Sequence, residues 1–332
     1  MDKLRYLDIR IPGPGRTASD TLSVSKIVLG TDYFGTSVSE EDAFRLMDIY
    51  ADAGGNCIDT ARVYASWMPG GEGASERTVG KWLKSRKNRD RIILSTKGGH
   101  PELDSMTRGR LSRKELEGDL DESLRTLGVD YIDIYWLHRD DTSRPVEDIM
   151  ETLHTFVARG KVRAIGCSNW KSVRIEEANR VAADSGTEAF CASQIQWSLA
   201  ASTPELHGDT TLVCMDGTEY KWYMENDFPV FAYSAQAKGF FSKAAAMGVE
   251  SLGGKALARF ASPENIARLE RVMEYAQRRG LSPTAVALAY ITCNRVPAAA
   301  IVGCKKEEHL LDTLTAADAD IPSADADWLY TG

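Results

Sequence analysis

Short runs of apolar and β-branched residues recur along the chain, and a longer amphipathic segment follows each of them. Strands are predicted at residues 25–31, 56–61, 91–97, 130–138, 162–169, 192–198, 229–234 and 298–303. Between them the apolar residues have helical spacing, and EDAFRLMDIYADAG and RKELEGDLDESLRTLG both end at glycine, as helices often do. Strands that alternate with helices predict parallel βαβ units. Eight repeats favour a closed (β/α)8 TIM barrel over an open sheet.

One domain is predicted over all 332 residues, and the segments outside the repeats are expected to belong to it. Residues 1–24 contain the turn sequence PGPG between two apolar runs, which predicts a β-hairpin that caps the barrel. The barrel itself is expected over residues 25–315, with a C-terminal tail over 316–332. Two long connections, 199–228 and 235–265, follow predicted strands six and seven. Loops of this kind at the C-terminal face of a barrel commonly contact substrate.

The composition and net charge of the chain argue against several classes of function. The chain is 43% hydrophobic and 27% charged, with a net charge of -8, which gives no indication of binding to nucleic acid or to an anionic membrane. The N-terminal residues lack an apolar signal segment, and no run approaches about 18 apolar residues, so a cytoplasmic location is expected. None of the six cysteines forms a CxxC pair, which favours free thiols and no metal site.

Four ionisable residues lie where three adjacent predicted strands end. Asp59 is near the end of strand two, Lys97 ends strand three, His138 ends strand four, and Tyr64 follows in the loop after strand two. Active sites of such barrels lie at this end of the strands. Each residue alone has an ordinary structural explanation: a helix cap, a solvated lysine, a buried histidine or a packed tyrosine. Their occurrence together at one rim favours a catalytic role.

The chemistry of these four side chains suits proton transfer to or from a substrate oxygen. A lysine ammonium beside a tyrosine favours the phenolate and is expected to lower the tyrosine pKa, and an aspartate keeps that lysine charged. A histidine can orient a carbonyl oxygen by hydrogen bonding. The set contains no activated nucleophile and no source of electrons. A hydride-carrying cofactor is therefore implied.

Several longer motifs resemble the aldo-keto reductase superfamily. They are GGNCIDTARVY, GEGASERTVGKWL, STKGG, LDESLRTLGVDYIDIYWLH, GKVRAIGCSNW, QIQWS, FAYSAQAKGFF and LSPTAVALAYI. The resemblance extends over about residues 22–315 and implies a (β/α)8 barrel. It also implies that Tyr64 is the general acid/base, that Lys97 and Asp59 tune it, and that His138 orients the carbonyl.

The resemblance further implies contacts with a nicotinamide cofactor. Ser168, Asn169 and Gln194 are expected to hold the carboxamide, and Tyr233 to stack on the nicotinamide ring. Contacts with the pyrophosphate are expected from Ser234, Gln236 and Lys238. Thr31 and Asp32 are expected to border the nicotinamide ribose. Most relatives have leucine where this chain has Gln236. The alternative for Gln194 is a strand glutamine whose amide is satisfied within the protein.

The segment AIVGCKKEEHLLDTL, residues 300–314, departs from the family pattern at the adenine end. Many relatives bind the adenosine 2'-phosphate here with a lysine or glycine, a serine and a later arginine. This chain has Gly303, Lys305 and His309, of which only Lys305 is a firm cation. Asp312 and Thr313 are expected at the adenine. NADP(H) is therefore favoured, with NAD(H) possible.

The partner is expected to be a small carbonyl or alcohol compound, such as an aldehyde, ketone or sugar. Tyr33, Trp67, Trp136 and Trp170 are candidates for the pocket lining, and simple packing is the alternative for each. Two other functions stay open. One is a slow or non-catalytic cofactor-binding regulatory subunit with the same fold. The other is a lyase or isomerase that forms a Schiff base at Lys97. The reaction direction and oligomeric state stay undetermined.

Overall fold

A computed structural model describes residues 4–317 and 319–332. Within these residues the strands are β1 Tyr6–Arg10, β2 Thr21–Ser25, β3 Ile27–Gly30, β4 Cys57–Asp59, β5 Ile93–Gly98, β6 Ile132–Leu137, β7 Val162–Ser168, β8 Ser193–Gln196, β9 Val230–Tyr233 and β10 Ala298–Gly303.

The α-helices of the same residues are α1 Glu40–Asp52, α2 Ala74–Arg86, α3 Arg113–Leu127, α4 Val146–Ala158, α5 Ser172–Ser185, α6 Pro204–His207, α7 Gly217–Glu225, α8 Phe240–Met247, α9 Gly254–Phe260, α10 Pro263–Arg279, α11 Pro283–Thr292, α12 Glu307–Leu314 and α13 Ser323–Thr331. Short 3-10 turns lie at Arg89–Arg91, Ala237–Gly239, Val249–Ser251 and Thr315–Ala317. Among the described residues, none of the helices combines the length and the apolar character that a membrane span requires.

Strands β3 to β10 form a closed parallel barrel, which confirms the predicted (β/α)8 architecture. Each strand pairs with the next along the chain, and β10 closes the barrel against β3. Strands β1 and β2 form a separate antiparallel hairpin. Apolar hairpin residues such as Ile9 and Val24 pack in one cluster with barrel-interior residues, so the hairpin closes the N-terminal end of the barrel.

The barrel interior is filled by alternate residues of the strands, because successive side chains in a strand point to opposite faces. On β6, Ile134 and Trp136 belong to this inner cluster, and the Trp136 ring meets Phe231 of β9 at a centroid distance of 5.0 Å. A Cβ atom on Gly166 of β7 would overlap the Trp136 ring, so the tryptophan requires a glycine beside it. One alternation further along β6 reaches His138 at the rim.

Two connections and the C-terminal segment contain more structure than the sequence pattern predicted. The connection 199–228 includes α6 and α7, which begin at the capping side chains of Thr203 and Asp216. The segment predicted as a tail ends in α13. Arg268 and Arg271 of α10 donate hydrogen bonds to carbonyl groups of this helix, which explains its ordered position.

A buried glutamate supports the strand that carries Lys97. Thr96 points outward from β5, and its hydroxyl donates to Glu76 Oε1 of α2 at 2.6 Å. Glu76 Oε2 is enclosed and has no hydrogen-bond partner among the described residues. Burial raises the pKa of Glu76 to about 7, and the hydrogen bond from Thr96 only partly opposes this shift.

We expect Glu76→Gln to flatten the pH dependence of stability. Because the Glu76 pKa is higher in the folded protein than the ordinary value of 4.5, folding binds a proton in this range. The stabilisation is complete below pH 4.5 and is lost as the pH rises through 7, on the order of 3 kcal/mol. The neutral glutamine keeps an acceptor for Thr96 and removes this loss. Urea unfolding at pH 5 and pH 8 measures the difference, and Glu151→Gln, at an exposed position on α4, is the control. An unchanged pH dependence in Glu76→Gln contradicts the expectation.

Candidate active site

The structure brings the predicted rim residues together at the C-terminal end of the barrel. Asp59 is the last residue of β4, Lys97 is the penultimate residue of β5, and His138 directly follows β6. Tyr64 lies in the turns after β4. Because β4, β5 and β6 are neighbours in the barrel, these positions place the four side chains side by side.

The Lys97 ammonium group is the centre of this arrangement. Nζ donates to Asp59 Oδ2 at 2.5 Å, to the Thr60 carbonyl oxygen at 2.9 Å and to the Tyr64 hydroxyl oxygen at 2.8 Å. The side chains of Lys97 and Asp59 are both fully buried. Three donated bonds use all the hydrogens of the ammonium group, so Lys97 is held in one position with one N–H directed at Tyr64.

Two further donors fix the Asp59 carboxylate. Ser95 Oγ donates to Asp59 Oδ1 at 2.7 Å, and Gln194 Nε2 donates to the same oxygen at 3.1 Å. The Tyr64 hydroxyl approaches Oδ2 at 3.4 Å. Gln194, expected to hold the cofactor carboxamide, therefore uses its amide nitrogen within the protein. Its contact is the Asp59 side chain.

Burial dominates the protonation behaviour of the tyrosine and the lysine. Burial raises the pKa of Tyr64 well above its usual range, and the Asp59 carboxylate raises it further. This net shift is opposite to the lowering expected from Lys97 alone, because desolvation of the phenolate outweighs the neighbouring cation. Burial lowers the pKa of Lys97, and Asp59 opposes that shift. The site thus keeps Tyr64 as a neutral phenol, the form that donates a proton.

His138 lies beside the tyrosine as a neutral imidazole. The rings of His138 and Tyr64 meet edge-on with their centroids 5.9 Å apart. Burial lowers the pKa of His138 well below its usual value, and His100, Arg139 and Lys97 lower it further. Its Nδ1 is enclosed and lacks a hydrogen-bond partner among the described residues. This leaves Nε2 as the ring nitrogen able to reach a substrate.

A hydrogen-bonded group at the ends of β7 and β9 surrounds Asn169. Asn169 Nδ2 donates to Ser168 Oγ at 3.0 Å and to the His138 carbonyl oxygen at 3.3 Å. Its Oδ1 accepts from the Tyr233 hydroxyl at 2.7 Å and from the Val213 N–H at 3.1 Å. All four bonds of the amide are thus made within the protein. Asn169 thereby fixes Tyr233 and Ser168 in position, and the contact of Ser168 and Asn169 with a carboxamide stays a prediction.

The segment after β9 has an unusual backbone that suits an anion. Ser234, Ala237 and Lys238 have positive φ angles of 54°, 47° and 56°, followed by Gly239 at 77°. Such angles are costly for residues other than glycine and concentrate at functional sites. Left-handed residues in succession direct N–H groups into a concave site that favours anions. Burial lowers the pKa of Lys238, while Asp32 acts in the opposite direction.

Asp32 lies opposite this segment, in the turn after β3. Burial raises the pKa of Asp32 to about 6, and Lys238 and Lys305 are the main groups that oppose the shift. Lys305 extends over the Tyr33 ring, with Nζ 3.8 Å from the ring centroid, and lies 3.4 Å from Ser37 Oγ. A Cβ atom on Gly303 would lie 3.4 Å from Asp32 Oδ1. Asp32 and the two lysines thus lie together beside the strand end at Gly303.

Three of the predicted cofactor contacts are already engaged inside the protein. Thr31 is fully buried, and its hydroxyl donates to the Asp59 carbonyl oxygen at 3.0 Å. Thr313 is also fully buried, and its hydroxyl accepts from Gln236 Nε2 at 2.7 Å. The side chains of Thr31, Thr313 and Gln236 thus have partners within the protein, and Gln236 connects the segment after β9 to α12. Their contacts with the ribose, the adenine and the pyrophosphate stay predictions.

The outer end of the predicted adenine site is on the surface. Asp312 is half-buried on α12, and His309 is exposed, with Nε2 3.7 Å from Glu308 Oε1. Lys306 pairs with the same glutamate at 3.3 Å. Lys305 is therefore the cation of this segment that turns toward Tyr33 and the barrel rim.

Two of the four predicted pocket aromatics border the rim, and two do not. Trp67 is 44% exposed, and its ring meets Tyr33 at 6.1 Å and Tyr64 at 6.3 Å, both edge-on. Trp136 and Trp170 are fully buried. Trp136 fills the barrel interior, and Trp170 packs on Phe190 in the helical layer at 5.3 Å. Both rings serve as packing, which is the alternative given for each, and their place in a pocket lining stays a prediction.

Two residues beside His138 were missed by sequence reasoning. Arg139 donates to the His138 carbonyl oxygen at 2.8 Å, to Thr211 Oγ1 at 2.9 Å and to Asp209 Oδ2 at 3.1 Å. It thereby attaches the long connection after β8 to the rim. His100, two residues beyond β5, places its ring 4.6 Å from that of His138. A charged or imidazole side chain directly after a barrel strand is the signal that could have indicated both.

The arrangement places a buried phenol, the lysine that contacts it and a group of polar residues at one end of the barrel. Tyr64 can donate a proton, and Lys97 can stabilise the phenolate that forms. Ser168 ends β7 and Tyr233 ends β9, and Ser234 and Lys238 follow in the segment whose backbone favours an anion. The charge of Lys238 and this backbone fit the phosphate groups of a dinucleotide. Among the described residues, no cluster of histidine, cysteine or acidic side chains could hold a metal ion.

Comparison with known proteins is consistent with this chemistry. The sequence profile described as the Aldo/keto reductase family matches residues 26–329. A norsolorinic acid reductase of Emericella nidulans is 30% identical, over 90% of this chain and 76% of its own length. The Bacillus subtilis protein named "Uncharacterized oxidoreductase YrpG" is 30% identical over 92% of this chain and 90% of its own. The Saccharomyces cerevisiae protein named "Probable aryl-alcohol dehydrogenase AAD4" is 28% identical over 84% of both chains.

Proposed function

Because the chain belongs to the aldo/keto reductase family and is thus an oxidoreductase, we propose that it transfers a hydride between NADP(H) and a carbonyl or alcohol substrate. The contact of Lys97 Nζ with both Asp59 and the Tyr64 hydroxyl carries this proposal. It supplies a buried phenol with a cation that stabilises the phenolate, which is the requirement for protonating a substrate oxygen. The dinucleotide, when bound, supplies the hydride.

In the reducing direction the chain's own residues act on the substrate oxygen. The Nε2–H group of His138 would donate to the carbonyl oxygen and orient it toward Tyr64. Tyr64 would then transfer its proton to that oxygen as negative charge develops there. Lys97 would stabilise the resulting phenolate through its 2.8 Å contact. The same groups in reverse would deprotonate an alcohol.

The hydrogen bonds of Lys97 support a role in stabilising the Tyr64 phenolate over a role as the nucleophile that forms a Schiff base. The Lys97 side chain is fully buried, and its three hydrogens are all donated to protein oxygens. A nucleophilic amine needs a free lone pair and access to the substrate carbonyl. A non-catalytic regulatory subunit would not need the contact between Lys97 and Tyr64. Measurement of substrate turnover distinguishes that alternative from the proposed enzyme.

The substrate we propose is a carbonyl compound with a planar or ring-shaped body. Trp67 and Tyr33 form an exposed aromatic edge next to Tyr64. Aromatic faces bind aryl groups and the apolar faces of sugars. One relative is named for aryl alcohols and another for norsolorinic acid, which supports an aryl ketone, aryl aldehyde or sugar as the substrate of this chain.

Titration with NADPH and with NADH, followed by quenching of tryptophan fluorescence, tests the cofactor part of the proposal. We expect tighter binding of NADPH, because Lys305 and Lys238 supply positive charge at the strand ends near Asp32. Lys305→Met should weaken NADPH binding about tenfold and leave NADH binding unchanged, as for the loss of one charge-assisted hydrogen bond.

The neighbouring Lys306→Met is the matched control, since Lys306 pairs with Glu308 on the surface. A preference for NADH, or equal loss in both lysine variants, would contradict the assignment of Lys305 to the 2'-phosphate. A preference for NADH would instead indicate that the chain oxidises sugars or polyols. Binding of neither dinucleotide would refute the proposed oxidoreductase mechanism.

A further inference from the structure

The aromatic edge of the site continues past His138 to a second buried imidazole. The rings of Tyr33, Trp67, Tyr64, His138 and His100 follow one another edge-on, with centroid separations of 6.1, 6.3, 5.9 and 4.6 Å. His100 and His138 are each 8% exposed. His100 is thus the inner end of a continuous row that begins at the exposed Trp67.

The hydrogen bond of His100 determines which of its nitrogens carries the proton. His100 Nδ1 lies 2.6 Å from the Pro101 carbonyl oxygen. A carbonyl oxygen only accepts hydrogen bonds, so Nδ1 is the protonated nitrogen. Burial lowers the pKa of His100 to about 4, and Arg139 contributes in the same direction. His100 is therefore neutral at physiological pH, and Nε2 carries a lone pair that can accept a hydrogen bond.

The accessible nitrogen of His138 is a hydrogen-bond donor, whereas that of His100 is an acceptor. Nδ1 of His138 is enclosed without a partner among the described residues. A hydrogen on Nδ1 would be a buried donor without an acceptor, which is rare in folded proteins. We therefore place the hydrogen on Nε2. The two adjacent imidazoles offer one donor, at His138, and one acceptor, at His100.

Neighbouring charged side chains do not compete with His100 for a substrate hydroxyl. Each guanidinium nitrogen of Arg139 already donates to a protein oxygen. Arg62 pairs with Asp119 and Glu122. The centroids of the two rings lie 4.6 Å apart, which is close enough for one substrate to meet the donor with its carbonyl oxygen and the acceptor with a neighbouring hydroxyl group.

We propose that His100 is a specificity-determining residue that accepts a hydrogen bond from a hydroxyl group on the carbon next to the substrate carbonyl. The preferred substrates are then α-hydroxy ketones and α-hydroxy aldehydes, including open-chain sugars. The inference rests on the proposed function, since it assumes that His138 orients the carbonyl. It deepens that function by selecting one class among carbonyl compounds.

Three related ketones and one variant test the inference. Acetophenone, α-hydroxyacetophenone and the methyl ether of the latter share an aryl ketone, but only the hydroxy compound can donate a hydrogen bond. The native enzyme should prefer the hydroxy compound to its ether by about five- to tenfold in kcat/KM. In His100→Phe this ratio should fall to about one, whatever the change in kcat/KM for the ether. Comparing ratios between the two proteins cancels the intrinsic reactivity of each ketone.

Two further variants separate specificity from general damage. His100→Gln supplies an amide oxygen as acceptor and should retain part of the preference. His154 lies on α4 and pairs with Glu188, and its replacement in His154→Phe should leave the ratio unchanged. An equal ratio in the native enzyme and His100→Phe would overturn the inference. So would a ratio that also falls to one in His154→Phe.

A binding measurement decides the inference if the native enzyme reduces none of the ketones, an outcome that would count against the proposed function. Histidine side chains labelled with ¹⁵N are observed by NMR in the protein loaded with dinucleotide. The His100 signals are assigned by their loss in His100→Phe. Addition of α-hydroxyacetophenone should shift the Nε2 resonance of His100, and the methyl ether should not. The same shift with both compounds, or none with either, would overturn the proposed role of His100.

Discussion

Tyr64→Phe is expected to lower kcat by about 10³-fold while dinucleotide affinity changes less than twofold. General acid/base catalysis by one positioned side chain contributes roughly 10²- to 10⁴-fold, and phenylalanine removes only the hydroxyl that Lys97 contacts. The ring packing against Trp67 and His138 is retained. Lys97 keeps its bonds to Asp59 and the Thr60 carbonyl oxygen. The fold and the cofactor region should therefore be preserved.

Steady-state turnover and fluorescence titration of the same preparation measure the two quantities. Tyr135→Phe is the matched control. Tyr135 is also fully buried, but its hydroxyl has no hydrogen-bond partner among the described residues and lies on the outer face of β6. Full turnover in Tyr64→Phe would refute Tyr64 as the proton donor. Equal loss in both variants would point to a general effect of removing a buried phenol.

The barrel was predictable because its strands follow a repeated pattern that local sequence controls. Apolar β-branched runs alternate with amphipathic helices, and eight such units favour a closed barrel over an open sheet. The same regularity predicted the positions of Asp59, Lys97 and His138, since each follows from where a strand ends. The structure brings them to one rim as neighbouring strand ends require.

The direction of a large side chain at the rim was less predictable. Trp136 is only two residues before His138, yet it is one layer deeper and fills the barrel interior. Trp170 is adjacent to Asn169, but its ring turns into the helical layer against Phe190. A shift of one or two positions along a strand changes the face or depth that a side chain occupies. Sequence spacing alone could not distinguish a tryptophan that packs in the protein interior from one that lines a pocket.

The internal hydrogen bonds of residues predicted to contact the cofactor were not predictable from the sequence, for a physical reason. Thr31 and Thr313 have partners inside the protein that are distant in sequence, Asp59 and Gln236. Such partners follow from tertiary packing and leave no local signal. His100 was missed for a related reason, since its importance depends on the ring of His138, 38 residues away in the chain but 4.6 Å away in space.

Asp59→Asn is expected to destabilise the protein by about 3–5 kcal/mol, the usual cost of removing one partner of a buried ion pair. The carboxylate accepts from Lys97, Ser95 and Gln194 within 3.1 Å. An asparagine amide can replace only one of its oxygens as an acceptor, and its NH2 group would face another donor. The uncompensated Lys97 ammonium would lose its proton or leave its position. Turnover should fall together with stability.

Lys97→Met supplies the other half of a double-mutant cycle. We expect it to be strongly destabilising alone, since it leaves the Asp59 carboxylate buried without its cation. The double variant Asp59→Asn/Lys97→Met should be more stable than the sum of the two single losses predicts, by roughly 2 kcal/mol or more, because it removes both charges. Urea unfolding of the four proteins at neutral pH measures the coupling. Additive losses would show that the Asp59–Lys97 contact is not an ion pair, and Lys97 could not then act as the cation that stabilises the Tyr64 phenolate.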